Sequence, residues 1–323
     1  MTEDTPDRRY LLIAPCRDEA KFMRVTLDSL VAQTVRPHKL VIVDDGSTDA
    51  TPDIAAEFAA RHDWIEVVTR KDRGHRKVGG GVIEAFDAGL AAVPGWRDLP
   101  YVCKLDLDLD LPPRYFERLM EILEAEPRLG TTSGKAYFRA PSGEMVSEAC
   151  GDEMSVGMTK FYRTECFEEI GGFVQEVMWD AIDCHTARLK GWRAESYDEP
   201  ELRFEHLRPM GSSQKSIFTG RARHGYGQWF MGSTLPYFAA TAAFRMTRRP
   251  YVVGGLSMLT GYLRSMAKGE PRYDAPGFRP LLRRYQGRAL LVGKTKAIAE
   301  IDAAQEPVWQ ARLARREAER ANA

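Results

Sequence analysis

The stretch Lys39-Leu-Val-Ile-Val-Asp-Asp-Gly-Ser-Thr-Asp49 decides the fold of this chain. Lys39 is followed by four apolar residues, and the run Lys39–Val43 indicates a buried strand. The residues from Asp44 to Ser47 are typical of a turn, and the segment that follows predicts a helix with Ile54 and Phe58 on its apolar side. A buried strand that leads directly into an amphipathic helix is the repeating unit of parallel α/β sheets.

The same alternation of strand and helix continues on both sides of this stretch. Residues 10–14, 64–68 and 101–105 are further apolar runs that predict strands, and residues 19–33 place apolar side chains at helical spacing. We therefore predict an α/β fold with a mostly parallel mixed sheet and helices on both faces. Ligands of such sheets bind at the carboxyl ends of the strands, and polar clusters follow the predicted strands there. These clusters are Arg17-Asp18-Glu19, Asp44-Asp45, and Asp106, Asp108 and Asp110.

The composition argues against several classes of protein. The 46 Lys and Arg residues balance the 46 Asp and Glu residues, so the chain has no net positive field, and we predict no nucleic-acid partner. The five cysteines include no Cys-x-x-Cys pair, which argues against a disulfide framework or a zinc site. The N-terminal segment is acidic and lacks a long apolar run, unlike a signal peptide, so the expected location is the cytoplasm.

A run of alternating carboxylates, Lys104-Leu-Asp106-Leu-Asp108-Leu-Asp110, follows the fourth predicted strand. In an extended chain, residues two apart point to the same face, so we expect all three carboxylates on one face. Such a cluster needs a cation, and hard oxygen ligands suit Mg²⁺ or Mn²⁺ together with substrate phosphates. The alternative is a solvent-facing edge strand with the same alternating pattern.

The acidic turn after the second predicted strand has the chemistry of a nucleoside site. The carboxylates of Asp44 and Asp45 are suited to accept hydrogen bonds from a nucleobase or a ribose. The alternative is that Ser47 or Asp49 caps the next helix, which would leave Asp44 and Asp45 without a role. The dinucleotide fingerprint Gly-x-Gly-x-x-Gly is absent from the first strand-to-helix turn, which argues against an oxidoreductase.

A basic, glycine-rich segment, residues 71–81, precedes another predicted helix. It includes Arg76 and Lys77, and it combines cations with free backbone amides, as a bound diphosphate requires. Its sequence is not that of the phosphate-binding P-loop. The alternative is a solvated loop.

Two further residues are candidates for catalysis or metal binding. Asp180 lies at the start of a helical pattern, where a carboxylate is either stabilised by the helix dipole or held as a general base. His206 has the chemistry of a metal ligand, but a single histidine is more often a residue of the core or the surface.

Five motifs in one order give the chain a resemblance to a known family. The order resembles that of the family 2 inverting glycosyltransferases of the GT-A fold, and the resemblance covers about residues 8–210. The motifs are Ala14-Pro15-Cys-Arg-Asp-Glu19, Val43-Asp44-Asp45-Gly46-Ser47-Thr48-Asp49, Lys104-Leu-Asp106-Leu-Asp108, Tyr162-Arg163 with Ile170-Gly171-Gly172-Phe173, and Trp179-Asp180 eleven residues before Gly191-Trp192.

The resemblance implies a nucleotide-sugar donor and a divalent cation. It implies that Pro15, Glu19 and Asp45 line the nucleotide pocket and that Asp44 lies near the base. The first acid of the Asp-x-Asp motif would lie near the ribose or the sugar. With the polar strand end and the basic segment included, the expected donor-binding residues are Pro15, Arg17, Glu19, Asp44, Asp45, Arg76, Lys77 and Asp106.

The resemblance also implies the metal ligands and the base. The expected metal ligands are Asp108 and His206, and the metal is Mn²⁺ or Mg²⁺. Asp180 matches the catalytic base of the family. The family motif usually has Glu before this Asp, whereas this chain has Trp179, and Asp183 is therefore a rival base. No role is assigned to the additional acid Asp110.

The second half of the chain is apolar and rich in aromatic residues. Residues 235–244 and 251–263 have lengths that fit interfacial helices, and Arg245, Arg248 and Arg249 lie between them. We expect either docking on the inner face of the cytoplasmic membrane, or a core hairpin or dimer interface. The charged segment after residue 305 is expected to be a solvated helix. The predicted domains are residues 1–225 and a helical extension of residues 226–323.

These features predict an inverting, metal-dependent glycosyltransferase with a nucleotide-diphosphate donor, expected to be a UDP-sugar. The expected acceptor is a hydroxyl of a saccharide or lipid-linked saccharide in the synthesis of a surface polysaccharide or glycolipid. One alternative is a polyprenyl-phosphate sugar transferase, and another is a catalytically silent subunit that binds carbohydrate. A nucleotidyltransferase is a third. The sequence does not fix the oligomeric state.

Overall fold

The computed structural model describes residues 6–74, 77, 79–208, 217–248 and 250–322. The chain divides into two compact units. The first consists of Met1–Gln175 and Ala194–Pro209, and the second consists of Glu176–Arg193 and Met210–Ala323. The second unit therefore includes a short segment that lies well before residue 225, where the sequence analysis drew its boundary.

The strands of the described residues form two sheets. The larger sheet has seven strands in the order β10-β6-β9-β4-β1-β2-β3, and the smaller has four in the order β5-β11-β7-β8. The strands are β1 (Tyr10–Cys16), β2 (Lys39–Asp44), β3 (Ile65–Thr69), β4 (Tyr101–Leu105), β5 (Leu109–Asp110), β6 (Leu129–Ser133), β7 (Lys135–Arg139), β8 (Met145–Ser147), β9 (Thr159–Arg163), β10 (Arg193–Ser196) and β11 (Arg203–His206).

The larger sheet confirms the predicted mostly parallel α/β fold. β1 pairs in parallel with β2 and β4, and β2 pairs in parallel with β3, whereas β9 runs antiparallel to β4 and β6. Each of the apolar runs that predicted a strand forms one. The helices of this unit are α1 (Met23–Val31), α2 (Thr51–Arg61), α3 (Gly80–Ala91), α4 (Tyr115–Ala125) and α5 (Thr164–Glu169).

The chain bends between β4 and β5, in the middle of the alternating carboxylates. β4 ends at Leu105, and β5 begins only at Leu109. The prediction that Asp106, Asp108 and Asp110 share one face of a continuous extended strand is therefore wrong. Asp108 is buried, and Asp110 is exposed. The three carboxylates consequently have different surroundings.

The smaller sheet brings distant parts of the first unit together. β11 pairs antiparallel with β5, in a register that places His206 opposite Leu109. On its other side, β11 runs parallel to β7, which forms an antiparallel pair with β8. This sheet therefore connects the carboxylate run with the end of the first unit.

The second unit is helical. It contains α6 (Trp179–Leu189), α7 (Ile217–Met231), α8 (Leu235–Met246), α9 (Val253–Lys268), α10 (Phe278–Val292), α11 (Lys294–Ala304) and α12 (Glu306–Asn322). The two apolar segments of the second half thus form helices, α8 and α9, as predicted. Among the described residues, no helix combines the length and the apolar character that a membrane span needs.

The C-terminal helix α12 is more than the solvated tail that its composition predicted. The rings of Trp309 and Trp192 lie with their centroids 5.0 Å apart. The guanidinium of Arg312 lies 4.0 Å from the centroid of the Trp192 ring, and Arg312 is buried. One face of this charged helix therefore packs within the second unit.

Two glycines allow α7 and α9 to approach each other closely. A Cβ on Gly225 would lie 2.0 Å from the carbonyl oxygen of Met258, and a Cβ on Gly261 would lie 1.9 Å from that of Ala222. Both contacts are with backbone atoms, which cannot move aside as a flexible side chain can. The spacing between these two helices depends on the absence of both side chains.

We predict that Gly225→Ala and Gly261→Ala each destabilise the protein by about 1–3 kcal/mol, because an added methyl group overpacks this contact. Thermal or urea unfolding measures the change. The matched control is Gly287→Ala on α10, where a Cβ would meet nothing within 4 Å. The control is expected to leave stability unchanged or raise it by up to about 1 kcal/mol, since alanine favours a helix more than glycine does. Equal stability of all three variants would contradict the close approach.

Candidate active site

The pairing of β5 with β11 places a histidine next to a buried carboxylate. His206 Nε2 lies 3.7 Å from Asp108 Oδ2. The backbone holds the two segments in register, because the amide of Leu207 donates a hydrogen bond of 2.9 Å to the carbonyl oxygen of Asp108. The structure thus brings together the two residues that were expected to bind a metal.

Glu148 lies on the other side of the His206 ring. It follows the β7–β8 hairpin, and its amide donates a hydrogen bond of 2.9 Å to the carbonyl oxygen of Ala136. Both of its carboxylate oxygens lie 3.1 Å from His206 Nδ1, and the side chain is buried. The arrangement of carboxylate, imidazole and second carboxylate matches the way in which metal-binding histidines are oriented in proteins.

Arg208 links two of the predicted site residues. Its Nε lies 3.4 Å from Asp108 Oδ2, and its Nη2 forms an ion pair with Glu19. Neither Arg208 nor Glu148 was predicted from the sequence as a site residue. Arg208 stands two residues after His206 and was within reach of a motif search, whereas Glu148 lies in a short hairpin that carries no motif.

Asp106 has a cationic partner of its own. Its carboxylate forms an ion pair with Lys104 Nζ, which also donates a hydrogen bond of 3.0 Å to the carbonyl oxygen of Gly157. Burial and the nearby charge of Asp108 raise the pKa of Asp106. The Asp106 side chain keeps about a third of its surface exposed, at 32%, and is therefore accessible to a ligand.

The charges at this corner stabilise the ionised form of Asp108. Burial by itself would raise the pKa of Asp108, but the interaction with His206 and the charge of Arg208 outweigh it and lower that pKa. Burial would likewise lower the pKa of His206, but Asp108 and Glu148 raise it to about 9. The surroundings of Asp108 therefore favour a positively charged group next to its carboxylate.

The donor atoms of this corner fit a divalent cation. Asp108 Oδ1 is buried and has no hydrogen-bond partner among the described residues, so an acceptor that is costly to leave unsatisfied stays available. Within the part of the chain that the structure describes, no group of three or more His, Cys, Asp or Glu residues is arranged around a common metal position. Asp108 and His206 would thus be a partial ligand set, as for metals that share their coordination with substrate phosphates.

The acidic turn after β2 is tied to the turn after β1 by hydrogen bonds. The carboxylate of Asp18 accepts a bond of 2.7 Å from the amide of Thr48, and the hydroxyl of Ser47 accepts one of 2.9 Å from the amide of Asp18. Asp49 accepts bonds from the amides of Thr51 and Ala20. α2 begins at Thr51, after this turn. The hydrogen bonds of Ser47 and Asp49 therefore join the turn after β1 to the turn after β2.

The two carboxylates of this turn have different roles in the structure. Asp44 is buried and accepts a hydrogen bond of 3.0 Å from the amide of Ser47. Asp45 forms ion pairs with Arg70 at 2.7 Å and with Arg73 at 2.6 Å. Arg17 donates a hydrogen bond of 2.9 Å to the backbone carbonyl of Asp45, and the neighbouring Pro15 is buried in β1.

The basic segment before α3 is described only in part. Lys77 is half exposed and forms an ion pair with Glu84 of α3, which also pairs with Arg73 at 3.0 Å. Gly79 has a φ of 85°, in the left-handed region that favours glycine, immediately before the helix begins. Arg76 lies outside the described residues. The binding of a diphosphate by this segment stays a prediction.

The two candidate bases lie in the first two turns of α6, in the second unit. Asp180 is half-buried. Asp183 is only 2% exposed, and its carboxylate accepts a hydrogen bond of 2.6 Å from the amide of Cys184. The chain enters this helix through Met178, whose φ of 66° is rare for a residue other than glycine. Of the two carboxylates, Asp180 is the more accessible.

The comparison with known families identifies the first unit. Residues 12–169 match the model of the family described as Glycosyl transferase family 2. Residues 12–169, just under half of the chain, therefore resemble a family 2 glycosyltransferase domain. The match runs from β1 to the end of α5 and contains both acidic motifs, at Asp44-Asp45 and at Asp106 and Asp108. The resemblance that the motifs indicated is confirmed, and so is the prediction of a glycosyltransferase at the level of the domain.

Similar proteins support this identification and the fold. Glycosyltransferase GlyA of Streptococcus pneumoniae serotype 4 (strain TIGR4) is 32% identical over 192 residues, which are 57% of this chain and 25% of GlyA. This chain therefore spans well under two thirds of that relative. Residues 1–349 of TarS from S. aureus, solved with UDP-GlcNAc, superpose with a TM-score of 0.55 at 14% identity, over 94% of this chain and 91% of that chain. The mannosyltransferase PcManGT of Pyrobaculum calidifontis, solved with GDP-Man and Mn²⁺, has a TM-score of 0.50 at 18% identity, over 93% and 88%. The glycosyltransferase domain thus has the GT-A fold.

We predict that Glu148→Gln weakens the binding of Mn²⁺ by about 10- to 100-fold, because loss of the partner of a metal-binding histidine typically has an effect of this size. Titration of Mn²⁺ in the presence of UDP, followed by the electron paramagnetic resonance signal of the free ion, measures the affinity.

The matched control for this prediction is Glu144→Gln, an exposed carboxylate in the same hairpin. The control is expected to bind Mn²⁺ as the unaltered protein does. Glu148→Asp, which keeps the charge at a shorter reach, is expected to recover part of the affinity. The same affinity in Glu148→Gln and Glu144→Gln would mean that Glu148 does not orient His206 for a metal.

Proposed function

We propose that this chain is an inverting, metal-dependent glycosyltransferase. It transfers a sugar from a nucleoside-diphosphate sugar, expected to be a UDP-sugar, to a hydroxyl of a saccharide or of a lipid-linked saccharide. The observation that carries the proposal is the buried Asp108 carboxylate, with one oxygen beside His206 Nε2 and the other without a hydrogen-bond partner among the described residues. In a family 2 glycosyltransferase domain, such a corner is suited to hold a cation against the diphosphate of the donor.

The expected metal is Mn²⁺ or Mg²⁺, held by Asp108 and His206. A bound divalent cation supplies positive charge next to the leaving diphosphate. Glu148 keeps the His206 ring oriented, and Arg208 neutralises part of the carboxylate charge of Asp108 and Glu19. These residues position the cation without reacting themselves.

The remaining residues of the first unit bind and orient the donor. The acidic turn after β2, which holds Asp44 and Asp45, is fixed by hydrogen bonds to its own backbone, by Arg17 from the turn after β1, and by Arg70 and Arg73. It therefore offers a rigid surface to the nucleoside. A rigid binding site lowers the entropy that is lost on binding. TarS with UDP-GlcNAc and PcManGT with GDP-Man share the fold but differ in nucleotide, so the choice of UDP is part of the proposal.

Asp180 is the proposed catalytic base. Inversion by direct displacement needs one carboxylate to accept the proton of the acceptor hydroxyl, and the half-buried Asp180 is more accessible than the buried Asp183. The donation by Cys184 to Asp183 is consistent with a structural role for the second carboxylate. We assign the base to Asp180 for this reason.

We also propose where the enzyme works and on which acceptor. The acceptor is a growing surface polysaccharide or glycolipid at the inner face of the cytoplasmic membrane, which the protein reaches as a peripheral protein. The exposed apolar side chains of α8 and α9 support this location. A functional boundary near residue 225, with the helices after it on the acceptor side, belongs to the same proposal.

We predict that a UDP-sugar raises the unfolding temperature only when Mn²⁺ is present, because a ligand at 100 times its Kd adds about 2.7 kcal/mol to stability. A thermal-shift screen of nucleotide sugars, each with and without Mn²⁺, measures the effect. Asp108→Asn is expected to abolish the metal-dependent shift. The control, Asp110→Asn, alters an exposed carboxylate in the same run and is expected to retain it. The absence of a shift with every nucleotide would favour a silent carbohydrate-binding subunit.

We predict that Asp180→Asn lowers the turnover of the donor with acceptor by about 10²- to 10⁴-fold, the usual contribution of a general base. Binding of UDP with Mn²⁺ is expected to be unchanged, since only proton transfer is removed. Steady-state kinetics with a titration of UDP separate the two effects. Turnover that does not respond to Asp180→Asn would indicate an acceptor that is already ionised, such as a polyprenyl phosphate.

A further inference from the structure

Three helices of the second unit carry positive charge without any acid. Residues 217–268, which contain α7, α8 and α9, include seven Lys and Arg residues and no Asp or Glu. The chain as a whole has 46 residues of each sign. The chain has no net charge, but this segment has a local excess of positive charge. Such an excess creates a positive electrostatic potential at the surface.

Three of these cations lie close together. Arg221 belongs to α7, Arg245 to α8, and Arg248 follows α8. A Cβ placed on Gly254, at the start of α9, would lie 3.9 Å from Arg221 Nε. Burial and the charges of Arg221 and Arg248 lower the pKa of Arg245, as expected for cations that share one site.

No carboxylate neutralises this cluster within the described residues. Burial and the charges of Arg245 and Arg221 lower the pKa of His224 to about 4, so this histidine is uncharged near neutral pH and adds no further positive charge. Five acids of the second unit have partners elsewhere. Ion pairs are formed by Glu270 with Lys268, Asp274 with Arg279, Glu300 with Arg288, and Asp302 with Arg188, and Glu176 accepts a hydrogen bond from Tyr226.

Exposed apolar side chains accompany the arginines. Phe244, next to Arg245 in the chain, is 57% exposed, and the guanidinium of Arg248 lies 5.4 Å from its ring centroid. The segment that leads into α9 continues this exposure. We call the following residues the arginine tip: Arg221, Phe244, Arg245, Arg248, Tyr251, Val252, Val253 and Leu256, whose apolar members are each at least 50% exposed.

We propose that the arginine tip docks on the anionic headgroups of a lipid bilayer. The guanidinium groups would pair with lipid phosphates, and the aliphatic and aromatic side chains would enter the boundary between headgroups and acyl chains. The consequence for an acceptor that is attached to lipid rests on the proposed function. The docking itself does not require glycosyl transfer.

The composition of the arginine tip selects a membrane over other partners. Val252, Val253 and Leu256 are aliphatic and supply no stacking surface for the bases of a nucleic acid, so three of the five exposed apolar side chains of the tip fit an acyl-chain boundary, and Phe244 and Tyr251 are the two aromatic ones. A second copy of the tip would place like charges opposite each other, which opposes self-association. An anionic bilayer satisfies both features, since it offers phosphates to the cations and an apolar interior to the aliphatic side chains.

Flotation with vesicles tests the charge contribution. We expect the protein to bind vesicles of phosphatidylcholine with 30% phosphatidylglycerol more tightly than vesicles of phosphatidylcholine alone, and the difference to fall as salt rises. The variant Arg221→Gln, Arg245→Gln, Arg248→Gln is expected to bind about 100-fold more weakly, since each cation near an anionic surface contributes about fivefold. The control Arg283→Gln, Arg284→Gln, Arg315→Gln removes three exposed arginines of α10 and α12 and is expected to bind as the unaltered protein does.

A second pair of variants tests the apolar contribution. Val252→Ser with Val253→Ser is expected to weaken binding to anionic vesicles by about tenfold or more, because two apolar side chains no longer enter the boundary. Leu290→Ser with Leu291→Ser, on exposed positions of α10, is the matched control and is expected to have no effect. Circular dichroism establishes that each variant is folded, and this pair tests the tip even if the triple arginine variant does not fold.

Several results would overturn the proposal. They are the absence of binding by the unaltered protein, equal binding to neutral and anionic vesicles, or equal losses in the tip variants and their controls. Self-association that the tip variants abolish, without vesicle binding, would assign the surface to a second copy instead. Failure of vesicle binding would also remove the membrane location from the proposed function. The UDP-sugar shift is measured without vesicles, so it tests donor binding independently of the arginine tip.

Discussion

Burial of the Asp108 carboxylate is the constraint on which the rest of the candidate site depends. A carboxylate that leaves water is stable only beside positive charge or hydrogen-bond donors. The pairing of β5 with β11 supplies that charge, because it sets His206 and Arg208 next to Asp108. Glu148 and Glu19 then hold these two cations from the far side. Asp108 Oδ1 has no hydrogen-bond partner among the described residues, and it is the oxygen that we propose binds the metal.

The first unit and helices α7 to α9 of the second unit differ in how their charges are arranged. In the first unit, carboxylates and cations alternate in contact, as in the chains that join Asp45 to Arg73 and Glu84. In the second unit, the three helices from residue 217 to 268 hold cations without a single acid. The first arrangement holds the loops of the candidate site in place, and the second leaves a surface with positive electrostatic potential. A transferase that acts on a lipid-linked acceptor would need both, a pocket for its donor and a surface for the membrane.

Local patterns predicted much of the fold. The apolar run from Leu40 to Val43 lies in a central strand because a strand buried on both faces needs apolar residues, and this requirement is visible in four consecutive positions. The apolar segments of the second half likewise predicted the helices α8 and α9. The expectation of one extended strand through Asp110 failed, because the chain bends where Leu107 and Leu109 turn into the core. An alternating pattern cannot reveal such a bend, since both conformations bury the same leucines.

The sequence by itself determined strands β1 to β4, their order along the chain and the chemistry of the acidic motifs, because each depends on residues that are neighbours in the chain. The tertiary structure decided which of those acids share a cation. Glu148 and Arg208 meet the motif residues through the pairing of β7, β11 and β5, whose members lie far apart in the chain. The arginine tip is likewise invisible in the overall composition, where the charges cancel. Charge acts through space, and only the fold brings Arg221, Arg245 and Arg248 close enough to act together.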